Sequence, residues 1–280
     1  MVGDCVNGHR YLKLMLCGKE WCPVCGEKWS WIHQRRYYRM LPKLKVLAKR
    51  KGSIGYLVVT IPKEMRALFA NTALLNDFRR YIIDFLKRQG YERGVRVWHW
   101  AGEDGKTWKP HLNILIGAGY IDKTKLTGWR ELFTSWLELK TGLSVPGESI
   151  VIKYRYSKVP AKQRHWLRYV VRPTMRVYQP FYAALLKGYH NIGSWGEWTL
   201  RDKANDLSDL ERNVCPQCKE PLRWSFDRLD SFQDHWSDFE RLGAGYWQRK
   251  YALPPPRSVP LVSLPVAPRY IPLEFNFIPD

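Results

Sequence analysis

Acidic residues are scarce in this chain: 26 Asp plus Glu stand against 46 Lys plus Arg, leaving a formal charge of +20 over 280 residues. A compact body with that excess repels itself unless a polyanion neutralises it, so nucleic acid is the first expected partner. Long apolar runs are also missing. No stretch approaches the roughly 20 residues of a membrane span, and the opening MVGDCVNGHRYLK has no apolar run of signal-peptide length, so neither membrane contact nor export is expected. Cysteine is sparse, with six residues, too few for a disulfide scaffold. Four of the six fall in two C-P-x-C pairs, Cys22/Cys25 and Cys215/Cys218, which reads as metal-bound thiolates in a reducing, cytoplasmic setting. There is no G-x-x-x-x-G-K-[ST] loop, which excludes a helicase motor of that kind, and no aromatic RNP motif of the common RNA-binding sheet. What is present, 45% hydrophobic and 14% aromatic residues, suits a folded core.

The pattern divides the chain into four parts. Residues 1–51 form a zinc-binding, basic head, in which the stretch after the cysteines is crowded with Arg, Lys, Tyr and Trp, too polar for a core helix. Residues 52–175 are regular. Tyr56-Leu57-Val58-Val59-Thr60, ended by Pro62, reads as a buried strand, and Leu75, Phe78, Ile82, Phe85 and Leu86 recur at helical spacing up to Gly90. Residues 95–101 and 111–116 form a hairpin turning at Glu103-Asp104-Gly105-Lys106. Leu126, Trp129, Leu132, Phe133, Trp136 and Leu137 mark a second helix that Gly142 stops. Residues 150–156 alternate as a fourth strand, and Pro160 opens a third helix through Trp166, Tyr169 and Val170. The order β-α-β-β-α-β-α predicts an α+β fold, a ferredoxin-like antiparallel sheet backed by helices. Residues 176–250 are an accessory region holding the second C-P-x-C pair, and 251–280 a proline-rich extended tail.

Three groups of residues carry chemistry. Cys5, Cys17, Cys22 and Cys25, spaced C-x11-C-x4-C-x2-C, suit one tetrahedral zinc, with His9 inside the first gap read as a loop histidine. Cys215 and Cys218 have no nearby cysteine; a second zinc with His190 or His235, a site shared with Cys22 and Cys25, and no metal at all stay open. On the strand at 111–116, His111 and Asn113 leave the same face while Leu112 and Ile114 pack the other. Glu103 at the end of the partner strand can bring a carboxylate, and this N/O/O set suits Mg²⁺ or Mn²⁺. Tyr169 then lies one helical turn from His165 and from Arg172. Cations beside a phenol favour its ionised form and draw a phosphate toward it.

Cys17-x4-C-P-x-C, the hydrophobic-Thr strand ending at Thr60, Lys109-Pro110-His111-Leu112-Asn113 and Tyr169-Val170-Val171-Arg172 together resemble, in order and spacing, the HUH endonucleases that initiate rolling-circle replication of plasmids and phages. The resemblance spans residues 5–172. It implies a sheet with a divalent ion at a His-hydrophobic-His motif, here His111 with Asn113 in the second place, and a tyrosine in a Tyr-x-x-Lys setting, here Tyr169 with Arg172. It implies a DNA nickase of a small mobile genome: attack by the tyrosine leaves a 5′-phosphotyrosine link and a free 3′-hydroxyl. Expected partners are single-stranded or hairpin DNA at a replication origin, a host helicase and a host DNA polymerase, near the nucleoid of a prokaryotic host. The head and residues 31–50 would bind DNA, Lys and Arg on phosphates and Trp and Tyr stacked on unpaired bases. Two other readings share these residues, a single-strand transposase with the same core and a non-catalytic zinc protein that binds nucleic acid.

Overall fold

The apolar run at 56–60 becomes the second strand from the edge of a five-stranded sheet, and everything regular around it follows the expected order. A computed structural model describes residues 1–16, 29–102, 107–145, 150–174, 180–198, 207–226 and 237–252. Along them run β1 (Val2–Asp4), β2 (Arg10–Lys13), α1 (Trp29–Lys51), β3 (Ile54–Thr60), α2 (Thr72–Arg88), β4 (Gly94–Ala101), β5 (Trp108–Ile116), α3 (Lys123–Thr141) and β6 (Val151–Ser157). There follow α4 (Pro160–Val170), α5 (Pro180–Leu185), β7 (Ile192–Trp195), α6 (Leu207–Leu210), β8 (Arg223–Ser225), β9 (Phe239–Gly243) and β10 (Tyr246–Arg249). The chain is thus α+β, with two antiparallel five-stranded sheets and six helices among the described residues.

The first sheet has the order β6-β3-β5-β4-β7, every neighbour antiparallel. Alternation along its strands separates two cores. Leu57, Val59, Trp98, Trp100, Leu112, Ile114 and Ile116 meet α2 and α3 through Phe78, Ile82, Phe85, Trp129 and Phe133. Ile54, Val95, Val97 and Leu115 meet α1 and α4 on the other face through Met40, Leu44, Leu47, Trp166, Leu167 and Val170. Asn71 caps α2 by accepting the N–H groups of Ala73 and Leu74, and Gly142, at φ 68°, ends α3 in the left-handed conformation that a residue without Cβ adopts freely. β6 is an edge strand, and its alternation was legible. β7 pairs with β4 and extends the sheet by a strand that no periodicity announces.

Residues 29–51 correct the expectation that this stretch is too polar for a packed helix. α1 runs 23 residues, with Ile32, Arg36, Met40, Leu44 and Leu47 along one buried stripe. Its arginines are buried because they are satisfied: Arg35, 6% exposed, donates to the carbonyls of Leu14, Ala244 and Gly245 and lies 4.7 Å over the Tyr246 ring. Some of its aromatics also pack internally, Trp31 edge-on to Trp247 and Tyr37 edge-on to Tyr38.

The second sheet has the order β8-β1-β2-β10-β9 and takes strands from both ends of the described chain. The expected separation of a head (1–51) from an accessory region (176–250) is therefore crossed by backbone hydrogen bonds. Strands this short cannot hold register alone, and the pairings of β1 with β8 and of β2 with β10 join the two ends of the sequence.

Candidate functional site

Between α4 and the β6-β3-β5 half of the first sheet lies a cleft of about 610 Å³. β3 supplies Tyr56, Val58 and Thr60, β5 supplies Lys109, His111 and Asn113, and β6 supplies Lys153 and Arg155. α4 and the turn after it supply His165, Trp166, Tyr169 and Arg172. Arg66 closes one end. Its walls thus carry Arg66, Lys109, Lys153, Arg155 and Arg172 and no carboxylate among the described residues. A site lined by one sign of charge focuses its field and concentrates anions.

Tyr169 and Arg172 meet as their helical spacing predicts. The Arg172 Nη2 donates to Tyr169 Oη at 3.1 Å, and its guanidinium carbon stands 4.0 Å from the centre of that ring. The Arg172 Nε is buried without an acceptor, and no carboxylate pairs with the side chain among the described residues. A guanidinium left open in a basic cleft is a phosphate or carboxylate receptor by its geometry.

His111 comes to the same cleft, and opposite it across the β4–β5 hairpin stands His99, which the sequence reading overlooked. Their rings lie 5.1 Å apart, and His99 is 5.7 Å from Tyr169. Each histidine hands one ring proton to a backbone carbonyl: His99 Nε2 donates to Val170 O at 2.7 Å, and His111 Nδ1 to Lys109 O at 2.8 Å. A carbonyl can only accept, so the opposite nitrogens, His99 Nδ1 and His111 Nε2, keep their lone pairs. His99 Nδ1 is buried without a partner. Burial above all, then neighbouring positive charge, depresses both histidines below their ordinary value, His99 the more strongly, so both are neutral near pH 7.

Asn113 is fully buried, yet its amide is turned to a different task. Tyr56 Oη donates to Asn113 Oδ1 at 2.6 Å, so the carbonyl expected to face a metal is already engaged. Glu103, the expected carboxylate, lies outside the described residues. Other tyrosines are engaged elsewhere: Tyr182 stacks on Trp108, Tyr154 bonds the Gly119 carbonyl and Tyr156 packs against Tyr120.

The chain matches no family model, no curated protein and no solved structure.

A second cluster lies beside the other sheet. Cys5, His9, Cys215 and Cys218 bring four potential ligand atoms within 4.8 Å of one another, a set that could hold a metal such as zinc. Cys5, expected with Cys17, Cys22 and Cys25, here stands with the C-terminal pair, and His9, expected as a loop histidine, stands with them. The rest of the expected N-terminal set, Cys17, Cys22 and Cys25, lies outside the described residues, as does His235. His190 is not in the cluster; its carbonyl accepts from Arg96. No described helix is long and apolar enough to cross a membrane.

Proposed function

We propose that the cleft binds a single DNA strand and that Tyr169 cleaves it by transesterification, the reaction of a rolling-circle nickase. The observation that carries this reading is the meeting of Tyr169 and Arg172 with two lone-pair-bearing histidines in a cleft walled by cations. A tyrosine in packing service needs no guanidinium on its hydroxyl and no basic walls. The strand order supports the same reading: β3-α2-β4-β5-α3-β6 with β6-β3-β5-β4 side by side is the order that a split βαβ, ferredoxin-like reading calls for.

In the proposed step, Lys153, Arg155, Lys109 and Arg66 hold consecutive phosphates, and Arg172 draws one of them to the phenol. The Tyr169 oxygen bonds to phosphorus as the bond to the 3′ oxygen breaks. The phenolic proton leaves to solvent, or to His165, exposed in the cleft one turn earlier on α4, and the departing 3′ oxygen takes one up. The products are a 5′-phosphotyrosine and a free 3′-hydroxyl. His99 and His111 fit a divalent ion through their unprotonated nitrogens, which when bound would withdraw charge from a phosphate oxygen. Two imidazoles without a described carboxylate favour Mn²⁺ over Mg²⁺. Asn113 enters through Tyr56, whose ring lies 6.4 Å from Tyr169, and so orients the tyrosine.

The test is cleavage of a random-sequence single-stranded DNA pool by the full chain with Mn²⁺. The expected products have 3′ ends that a polymerase extends, and Tyr169→Phe abolishes them while DNA affinity stays within about threefold, because only a hydroxyl is removed. A Tyr169→Phe chain that cleaves as well as wild type would overturn the assignment. Binding with no cleavage under any divalent ion would favour the non-catalytic reading.

A further inference from the structure

We propose that Cys5, His9, Cys215 and Cys218 hold one structural Zn²⁺ that clasps the start of the chain to the segment after α6. The distances are those of a tetrahedron around such an ion. Zinc bonds of about 2.3 Å to sulfur and about 2.0–2.1 Å to nitrogen give tetrahedral edges of about 3.8 Å between sulfurs and about 3.5 Å from sulfur to nitrogen. Cys5 Sγ stands 3.6 Å from Cys218 Sγ and 3.3 Å from His9 Nδ1, and Cys215 Sγ stands 3.5 Å from the same nitrogen.

The backbone on both sides is shaped to aim these atoms inward. Cys5 and His9 are the ends of a tight turn, with Cys5 N bonded to His9 O, Gly8 N bonded to Cys5 O, and Gly8 at φ 77°. The Cys215–Cys218 loop closes through Lys219 N to Cys215 O at 2.9 Å and Cys215 N to Glu220 O at 2.8 Å. Its closing residue, Lys219, adopts φ 66°, a left-handed conformation uncommon for a residue with Cβ. A loop without a ligand to hold gains nothing from that strain. Donors also converge on the sulfurs as they do around metal-bound thiolates: the backbone N–H groups of His9 and Asn7 on Cys5, that of Glu220 on Cys218, and the Tyr11 hydroxyl on Cys215 at 3.5 Å.

Three thiolates and one imidazole select zinc. All four positions come from the protein and Cys5 and Cys215 are buried, so no position is open to substrate. The role is a clasp between residues 213 positions apart. It holds together the strands of the second sheet, whose β9–β10 turn grips α1 through Arg35 on the Ala244 and Gly245 carbonyls, and the segment after α6, which meets α1 through Arg39 on Glu211.

The test measures zinc per chain in purified full-length protein, and the visible spectrum after replacement by Co²⁺. Cys215→Ser plus Cys218→Ser should lower zinc by one equivalent. His9→Cys should keep that equivalent and raise the sulfur-to-cobalt absorption from three thiolates to four, so the proposal stays testable if the serine variant does not fold. Full zinc retention in a folded Cys215→Ser plus Cys218→Ser chain, or a cobalt spectrum unchanged by His9→Cys, would overturn it. Zinc lost only through Cys22→Ser plus Cys25→Ser would overturn it too, by placing the metal elsewhere.

Discussion

Across the β4–β5 hairpin, His99 and His111 divide their ring nitrogens in the same way, one proton spent on a carbonyl and one lone pair held back. That shared arrangement sets His99 beside His111, where the sequence reading expects Asn113 and Glu103. His99 hid because every residue of Gly-Val-Arg-Val-Trp-His-Trp-Ala in β4 is buried, which reads as core. A turn at 103–106 by itself would set residue 99 opposite residue 110, and it is the register shift between His99 and Ala101 that brings His99 opposite His111. Tyr169 and Arg172 were legible because helical spacing alone joins them, whereas the Tyr56 bond to Asn113 depends on a register between strands 57 residues apart. His99→Ala and His111→Ala should each weaken Mn²⁺ binding by at least about tenfold, and Asn113→Ala by less than about threefold. Electron paramagnetic resonance of free Mn²⁺ checks this, and equal losses in all three would restore Asn113 as a ligand.

At the scale of elements, α4 is positioned from two sides, by the sheet beneath it and by α1 alongside. α1 reaches it through His33, whose Nε2 donates to Arg168 O at 2.7 Å, and through Tyr37, which lies under the Arg168 guanidinium. Burial first, and then Arg36, Arg168 and Arg172, hold the His33 value below that of a free histidine. The neutral form is thus favoured in the folded chain, so its contribution is fully present above the unfolded value of about 6.5 and fades as pH falls below it. Thermal unfolding between pH 8 and 5 should show stability declining on the acid side, and His33→Gln should flatten part of that decline; an unchanged slope would mean the joint does not sense the proton. The helices α2, α3 and α4 were readable from period and caps. α1 was not, because it buries arginines among its apolar residues, and the partners of Arg35, the Ala244 and Gly245 carbonyls, lie 209 and 210 residues away. β1, β2 and β8 to β10 were equally hidden, since strands of three to five residues carry too little pattern.

For the whole molecule, the charge of +20 was the first clue and the cleft gives it a location. Affinity for a single strand should fall with salt at a slope of about −0.7 per phosphate neutralised, and Lys153→Ala plus Arg155→Ala should make that slope shallower by about 1.4. A double variant with the wild-type slope would mean that the strand runs elsewhere. The central claim is that Tyr169 becomes joined to DNA, and one measurement meets it directly. A 3′-labelled single-stranded pool is incubated with the full chain and Mn²⁺, the protein is denatured and digested, and the labelled peptide is identified by mass spectrometry. The expected result is a nucleotide on Tyr169 through its phenolic oxygen, absent from Tyr169→Phe; label on another tyrosine, or none in a chain that binds the pool, would contradict it.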